Sequence, residues 1–153
     1  MMSPAGRRHG RVAMRLGKLL ANHVDDHQLG EVHAAETGFL LQREPDTVRA
    51  PDVSFIHRDR LPPDDDDDTG FAALAPDLVA EVVSPRDSFA DVEEKAVFWL
   101  TCGVKLVLVV SPETRRIRAY RAADQIQVLA EGDTLDASDV VPGWTLSVSD
   151  VFA

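Results

Sequence analysis

Apolar residues recur at helical spacing over residues 6–28. With Val12 as reference, Leu16, Leu19, Leu20 and His23 fall on one face, and His9 joins them. A period of about 3.6 residues predicts an amphipathic helix, and Gly30 is its expected stop. Arg8, Arg11, Arg15 and Lys18 form a stripe beside that face, either a solvated flank or an edge that tracks phosphates. The pattern then changes. Residues 31–43 carry Val32, Phe39, Leu40 and Leu41, broken at Gly38, which predicts two short strands or one bent strand. Glu44-Pro45-Asp46-Thr47 is turn chemistry. A strand is expected at 48–57, with Val48, Ala50, Asp52, Ser54 and Ile56 on one face and Val53 and Phe55 on the other. Pro51 has no N–H for a ladder, so this strand is expected at an edge, or bulged, near Asp52.

The segment Leu61 to Gly70 contains two prolines and the run Asp64 to Asp68. It reads as a solvated loop, because it lacks the alternating ligands and distal glutamate of a calcium loop. Leu78 to Val83 is nearly continuous apolar sequence interrupted by Glu81. That predicts a strand covered on both faces, where an unpaired carboxylate is costly. A metal ion, a cation or a hydrogen-bonding neighbour must compensate Glu81, unless it stands in water at a strand end. Ser88 caps the next helix, with Asp91 completing a variant capping box. Phe89, Val92, Ala96, Trp99 and Leu100 line the inner face of that helix, Lys95 sits at its border, and Phe98 lies opposite. A strand at 105–110 follows, and strand, helix and strand together predict a parallel pair with a right-handed crossover. Further strands are expected at 116–121, 125–130 and 144–148.

The totals bound the class. A chain of 153 residues fits one domain, 1–153, with the helix inside 1–30 and the acidic loop at 61–70. Cys102 is the only cysteine, which excludes an internal disulfide and a thiolate metal cluster and suits a reducing cytoplasm. The longest apolar runs fall short of the roughly 20 residues of a membrane span, and the first ten residues lack the apolar stretch of a signal peptide. A cytoplasmic protein without membrane contact is expected. The net charge of −10 argues against broad, nonspecific nucleic-acid binding. Residues 1–18, however, hold Arg7, Arg8, Arg11, Arg15 and Lys18 and no acid, so a local positive patch is compatible with an acidic body.

Asp52, Glu81 and Lys95 fall on strand, strand and helix in that order. Two hard oxygen ligands for a divalent ion, with a cation to steady a phosphate or an attacking water, are what a metal-dependent phosphodiesterase needs. His9, on the inner face of the first helix, is a candidate to support the metal-binding acids or to act as an acid–base group, or else a histidine satisfied by the backbone. His23 and His27 are four apart, but no helical glutamate accompanies them as in a zinc protease. Ser84 and Ser111 lack the Gly-x-Ser-x-Gly elbow of a hydrolase. No glycine-rich phosphate loop is present.

Several stretches together resemble one family. They are His9-Gly10, Glu36-Thr37-Gly38-Phe39, residues 49–55 (RAPDVSF), 75–85 (APDLVAEVVSP), 91–95 (DVEEK), 103–112 (GVKLVLVVSP) and 142–146 (PGWTL). In this order they resemble the restriction-endonuclease-like proteins often called Uma-two, within the PD-(D/E)xK nuclease superfamily. The resemblance implies an α/β (α+β) fold, a mixed β-sheet flanked by α-helices, with the active site where two central strands diverge. It maps Asp52 and Glu81 onto the metal-binding acids, with a backbone carbonyl near Val82 as a further ligand and Mg²⁺ or Mn²⁺ as the ion. The superfamily's usual lysine stands two residues after the second acid, where this chain has Val83. Lys95 on the following helix is the matching residue. Asp77, which shares the strand parity of Glu81, is a candidate accessory ligand or a cap. The activity implied is that of a Mg²⁺-dependent endonuclease on nucleic acid, DNA foremost. The alternative is a catalytically inactive member of the fold that binds nucleic acid or a protein partner, including a homodimer through Phe98.

Overall fold

In the computed structural model, which describes residues 5–62 and 70–153, the first periodic segment forms helix α1 (Arg7–His27). Val12, Leu16, Leu20 and Val24, one turn apart, are its buried residues. The helix ends at Gln28 in a left-handed conformation whose N–H reaches back to the Val24 and Asp25 carbonyls. Gly30, the expected stop, instead opens the first strand. A side chain there would collide with the Ile56 carbonyl, so only glycine allows the two strands to meet so closely.

The strands are β1 (Gly30–Ala34), β2 (Phe39–Gln42), β3 (Thr47–Arg49), β4 (Val53–His57) and β5 (Leu78–Val82), followed by helix α2 (Phe89–Thr101). Next come β6 (Leu106–Ser111), β7 (Arg116–Ala122), β8 (Gln125–Ala130), β9 (Thr134–Asp136), β10 (Thr145–Ser147) and helix α3 (Val148–Phe152). Six strands form one mixed sheet in the order β1-β4-β5-β6-β7-β8. Only β5 and β6 run parallel; the remaining neighbours are antiparallel. The expected strand–helix–strand unit is therefore present, with α2 as its crossover.

Side-chain alternation divides the core into two layers. Leu78, Ala80 and Val82 of β5 and Leu106, Leu108 and Val110 of β6 face α1 and join the larger cluster. Val79, Val107, Val109 and Tyr120 face the other way and pack with Ala96 and Trp99 of α2. Glu81 has the parity of Val79 and so belongs to the α2 layer.

The expected strand at 48–57 is in fact two strands in different sheets. β3 pairs with β2, whereas β4 lies inside the six-stranded sheet between β1 and β5. Pro51, unable to donate, divides them rather than forcing an edge. Ser54 is buried along with Val53, Phe55 and Ile56, as an interior strand requires. The expected terminal strand is shortened to β10, which pairs with β9, and Val148 begins α3 instead. Phe89 does not join the inner face of α2: it is 60% exposed and lies under the Arg118 guanidinium. Phe98 is not bare either; it is half-buried, with the Arg49 guanidinium 5.4 Å above its ring. The aspartate run at 64–68 lies outside the described residues.

Asp77 marks the start of β5 and is 1% exposed. Its Oδ2 accepts the His57 N–H at 2.8 Å, and its Oδ1 lies 2.8 Å from Arg60 and 3.2 Å from Lys105. Its carbonyl accepts the Lys105 N–H at 3.0 Å. One residue thus ties together the end of β4 and the starts of β5 and β6. In Asp77→Ala, Arg60 and Lys105, 37% and 61% exposed, turn to water, while the His57 amide is left without an acceptor. The expected loss in urea unfolding is about 2 kcal/mol, short of the 3–5 kcal/mol seen when a buried charge is stranded. Asp77→Asn, which keeps an acceptor, should lose less.

Candidate active site

β4 and β5 pair only as far as Val53 opposite Ala80. Beyond that point the ladder ends, and the Val82 N–H has no main-chain partner on β4. The Asp52 side chain supplies the acceptor, with Oδ2 2.7 Å from the Val82 nitrogen. This bond holds Asp52 beside the residue that follows Glu81. From the α1 side, His9 Nε2 approaches the same Oδ2 at 3.4 Å. From the α2 side, Lys95 Nζ lies 2.7 Å from Glu81 Oε2. The two helices thus bring a basic group each to a pair of acids held by the sheet.

The electrostatics are uneven. Glu81 is only 12% exposed, whereas Lys95 is 52% exposed. Burial raises the Glu81 pKa; Lys95 works against that rise, and the Asp52 charge adds to it. For Lys95, burial is the largest single influence and acts downward. Glu81, Asp52 and Asp87 together outweigh it, so its pKa ends above the ordinary value. The two groups move upward for different reasons: Glu81 chiefly because burial disfavours its charge, Lys95 because the surrounding carboxylates favour its proton. Lys95 is therefore a firmly protonated cation, and Glu81 holds its proton to higher pH than a surface glutamate.

The acids suit a divalent cation. Glu81 Oε1 is buried and makes no hydrogen bond among the described residues, although its sister oxygen is paired. A buried oxygen left open costs free energy unless a ligand completes it, and carboxylate oxygen is the preferred donor for Mg²⁺. The described residues contain no group of three or more His, Cys, Asp or Glu able to hold a metal. Two carboxylates with water or substrate oxygens completing the shell is the arrangement Mg²⁺ commonly takes.

Of the five residues singled out from the sequence, Asp52, Glu81, Lys95 and His9 come together, and Asp77 does not. It stands four residues from Glu81 along β5, about 13 Å at 3.3 Å per residue, and is held by ion pairs and a main-chain N–H of its own. His23 lies far along α1 and bonds the Pro142 carbonyl at 2.8 Å, and His27 bonds the His23 carbonyl. One contributor was missed. Asp87 accepts the Ser84 N–H at 2.8 Å and adds its charge to the field on Lys95. Its signal is the Ser84-Pro85-Arg86-Asp87 turn, in which an aspartate folds back on a main-chain N–H.

A mixed sheet of six strands flanked by helices is the architecture of a nuclease-like fold. The family described as "Uma2: Putative restriction endonuclease" matches residues 1–149, and the chain belongs to it. This membership supports a nuclease, with nucleic acid as its substrate. A crystal structure at 1.96 Å of a "putative nuclease belonging to DUF820" from Anabaena variabilis ATCC 29413 superimposes with a TM-score of 0.81. It is 20% identical, over 99% of this chain and 83% of that one, a likeness that establishes the shared fold. No curated protein matches. Among the described residues, no helix is long and apolar enough to cross a membrane.

The raised Glu81 pKa carries a prediction for stability. A carboxyl whose folded pKa lies above its unfolded one favours the folded state fully below the ordinary value of 4.5. That contribution is lost as pH rises through the folded pKa. Glu81→Gln, which cannot ionise, should therefore gain in melting temperature relative to the wild type as pH rises from 4 to 8. A constant difference across that range would show that Glu81 ionises normally.

Proposed function

We propose that this protein is a metal-dependent endonuclease that hydrolyses phosphodiester bonds in DNA. Asp52 and Glu81 would hold Mg²⁺ or Mn²⁺, and Lys95 would act at the phosphate. The observation that carries the reading is the buried, unpartnered Glu81 Oε1 beside Asp52, with an ammonium 2.7 Å from the other Glu81 oxygen. A divalent ion there would polarise a phosphate oxygen and acidify water for attack.

The protein's own groups have separate tasks. The Val82 N–H fixes the Asp52 carboxylate and leaves Oδ1 as the ligand atom. Lys95, half in water and kept protonated by its acidic neighbours, cannot serve as a base near neutral pH. It instead stabilises the negative charge that grows on the phosphoryl oxygens as the bond to the leaving oxygen breaks. His9, whose Nε2 lies 3.4 Å from Asp52 Oδ2 on the α1 side, steadies that carboxylate.

Purified protein with Mn²⁺ and plasmid or oligonucleotide DNA tests the proposal. Asp52→Ala and Glu81→Ala should abolish cleavage, and Lys95→Ala should lower kcat on the order of a hundredfold or more. Cleavage that survives either acid substitution would refute the assignment. Binding can be read without turnover: Mn²⁺ at a hundred times its Kd should stabilise the fold by about 2.7 kcal/mol, and Asp52→Ala should lose that gain. Because a proton and the ion compete for Glu81, the Mn²⁺ affinity should begin to fall at a pH above 4.5. A catalytically silent nucleic-acid-binding or homodimeric module would show neither the cleavage nor the Mn²⁺-dependent gain. Phe98, on which a homodimer reading would rest, is half-buried with the Arg49 guanidinium beside its ring.

A further inference from the structure

A cavity beside the acid pair has no part in holding a metal. It opens past the ends of the parallel strands β5 and β6, encloses about 190 Å³, and is lined by Val83, Val109 and Tyr120 together with Phe89, Arg118 and Arg8. The sheet register places it relative to the acids. Glu81 stands opposite Val109, and Val109 stands opposite Arg118. The three side chains thus form one row on the α2 face, with Arg118 two strand spacings from Glu81, about 10 Å. Phe89 opens α2 at this rim, 60% exposed, with the Arg118 guanidinium 4.8 Å from its ring centroid. Arg8 precedes His9, the residue that meets Asp52.

The chemistry of this lining is selective. It offers an aromatic ring that is 60% exposed although Arg118 lies against one face, an apolar wall, and two guanidinium groups that form no ion pair among the described residues. Asp87 and Glu113 also border it, but Asp87 is committed to the Ser84 N–H and Glu113 is exposed at the turn after β6. A flat ring for stacking with cations alongside is how proteins hold an unpaired base and its phosphates. Resting on the nuclease reading, we propose that this cavity seats an unpaired nucleobase of the strand being cut. The base stacks on Phe89, and Arg118 and Arg8 take the adjoining phosphates. A paired base already has its faces covered by neighbours in the helix. The favoured substrate is therefore single-stranded, or carries an extruded base at the cleavage position.

The test measures binding in Ca²⁺ buffer at low salt. Its probes are a short single-stranded DNA containing 2-aminopurine and the corresponding duplex. Wild-type protein should prefer the single strand and quench its fluorescence. Phe89→Ala should weaken that binding on the order of tenfold and remove the quench, and Phe89→Trp should retain both. Arg118→Ala should reduce the salt slope by about 0.7. Melting curves confirm that each variant is folded. The proposal is overturned by wild-type affinity in Phe89→Ala, by a preference for duplex, or by wild-type protein that binds neither probe. Failure of the nuclease reading is separately visible. Phe89-dependent binding without any metal-dependent cleavage keeps the base seat and removes hydrolysis, whereas Asp52-dependent cleavage indifferent to Phe89 does the reverse.

Discussion

The Glu81 carboxylate lies inside a strand otherwise made of Leu78, Val79, Ala80 and Val82, and the site is arranged around the difficulty of keeping it there. Isolated charge in such surroundings is costly. The protein compensates with one ammonium, from Lys95, and leaves the second oxygen open. Asp77, at the other end of the same strand, is better compensated in charge: two cations and a main-chain N–H surround it. Two acids on one strand are thus distinguished by how far their surroundings satisfy them. The satisfied one holds strands together, and the incompletely satisfied one retains the capacity to bind something.

That capacity depends on where the sheet stops pairing. β4 and β5 separate just before Val82, and the gap is closed by the Asp52 side chain instead of by main chain. Because β5 and β6 are parallel, their connection must cross over, and the crossover helix α2 brings its first turns across the strand ends. α1 covers the opposite face and delivers His9 from that side. Open sheets commonly place ligand sites outside the carboxyl ends of parallel strands, and here both helix starts converge on that location.

Much of this arrangement was legible in local pattern. The helical period of α1, the apolar run around Glu81, the cap at Ser88 and the strand–helix–strand unit are short-range features, each determined by neighbours in sequence. Asp52, Glu81 and Lys95 could be marked because acids and a lysine at such positions demand an explanation. The misreadings involve distant partners. The segment 48–57 alternates like a single strand, and only the competition between β2 and β5 for its two halves reveals the division at Pro51. Phe89 has the spacing of a core residue, but its turn overhangs the sheet and meets Arg118 of β7 instead. Phe98 faces away from the core, yet Arg49, from a separate hairpin, covers it. Asp77 shares the parity of Glu81, and parity alone cannot show that Arg60 and Lys105 converge on it. Asp87 went unnoticed because its influence on Lys95 acts through space from a turn.

Charge balance at the site follows from the same inventory. Asp52 and Glu81 outnumber Lys95, so the side chains at the strand ends form a net negative centre on an already acidic protein. A phosphate approaching such a centre is repelled unless positive charge lies nearby. The chain supplies it at Arg8 of α1 and at Arg118, on the same sheet face as Glu81, both of which line the neighbouring cavity. A net charge of −10 therefore describes the body of the molecule and not the path to the acids. Long-range repulsion from that body is screened over about 8 Å at physiological salt, whereas Arg8 and Arg118 line the cavity beside the acids directly. Recognition of a polyanion here is a matter of local placement, which explains how an acidic protein can belong to a nuclease family.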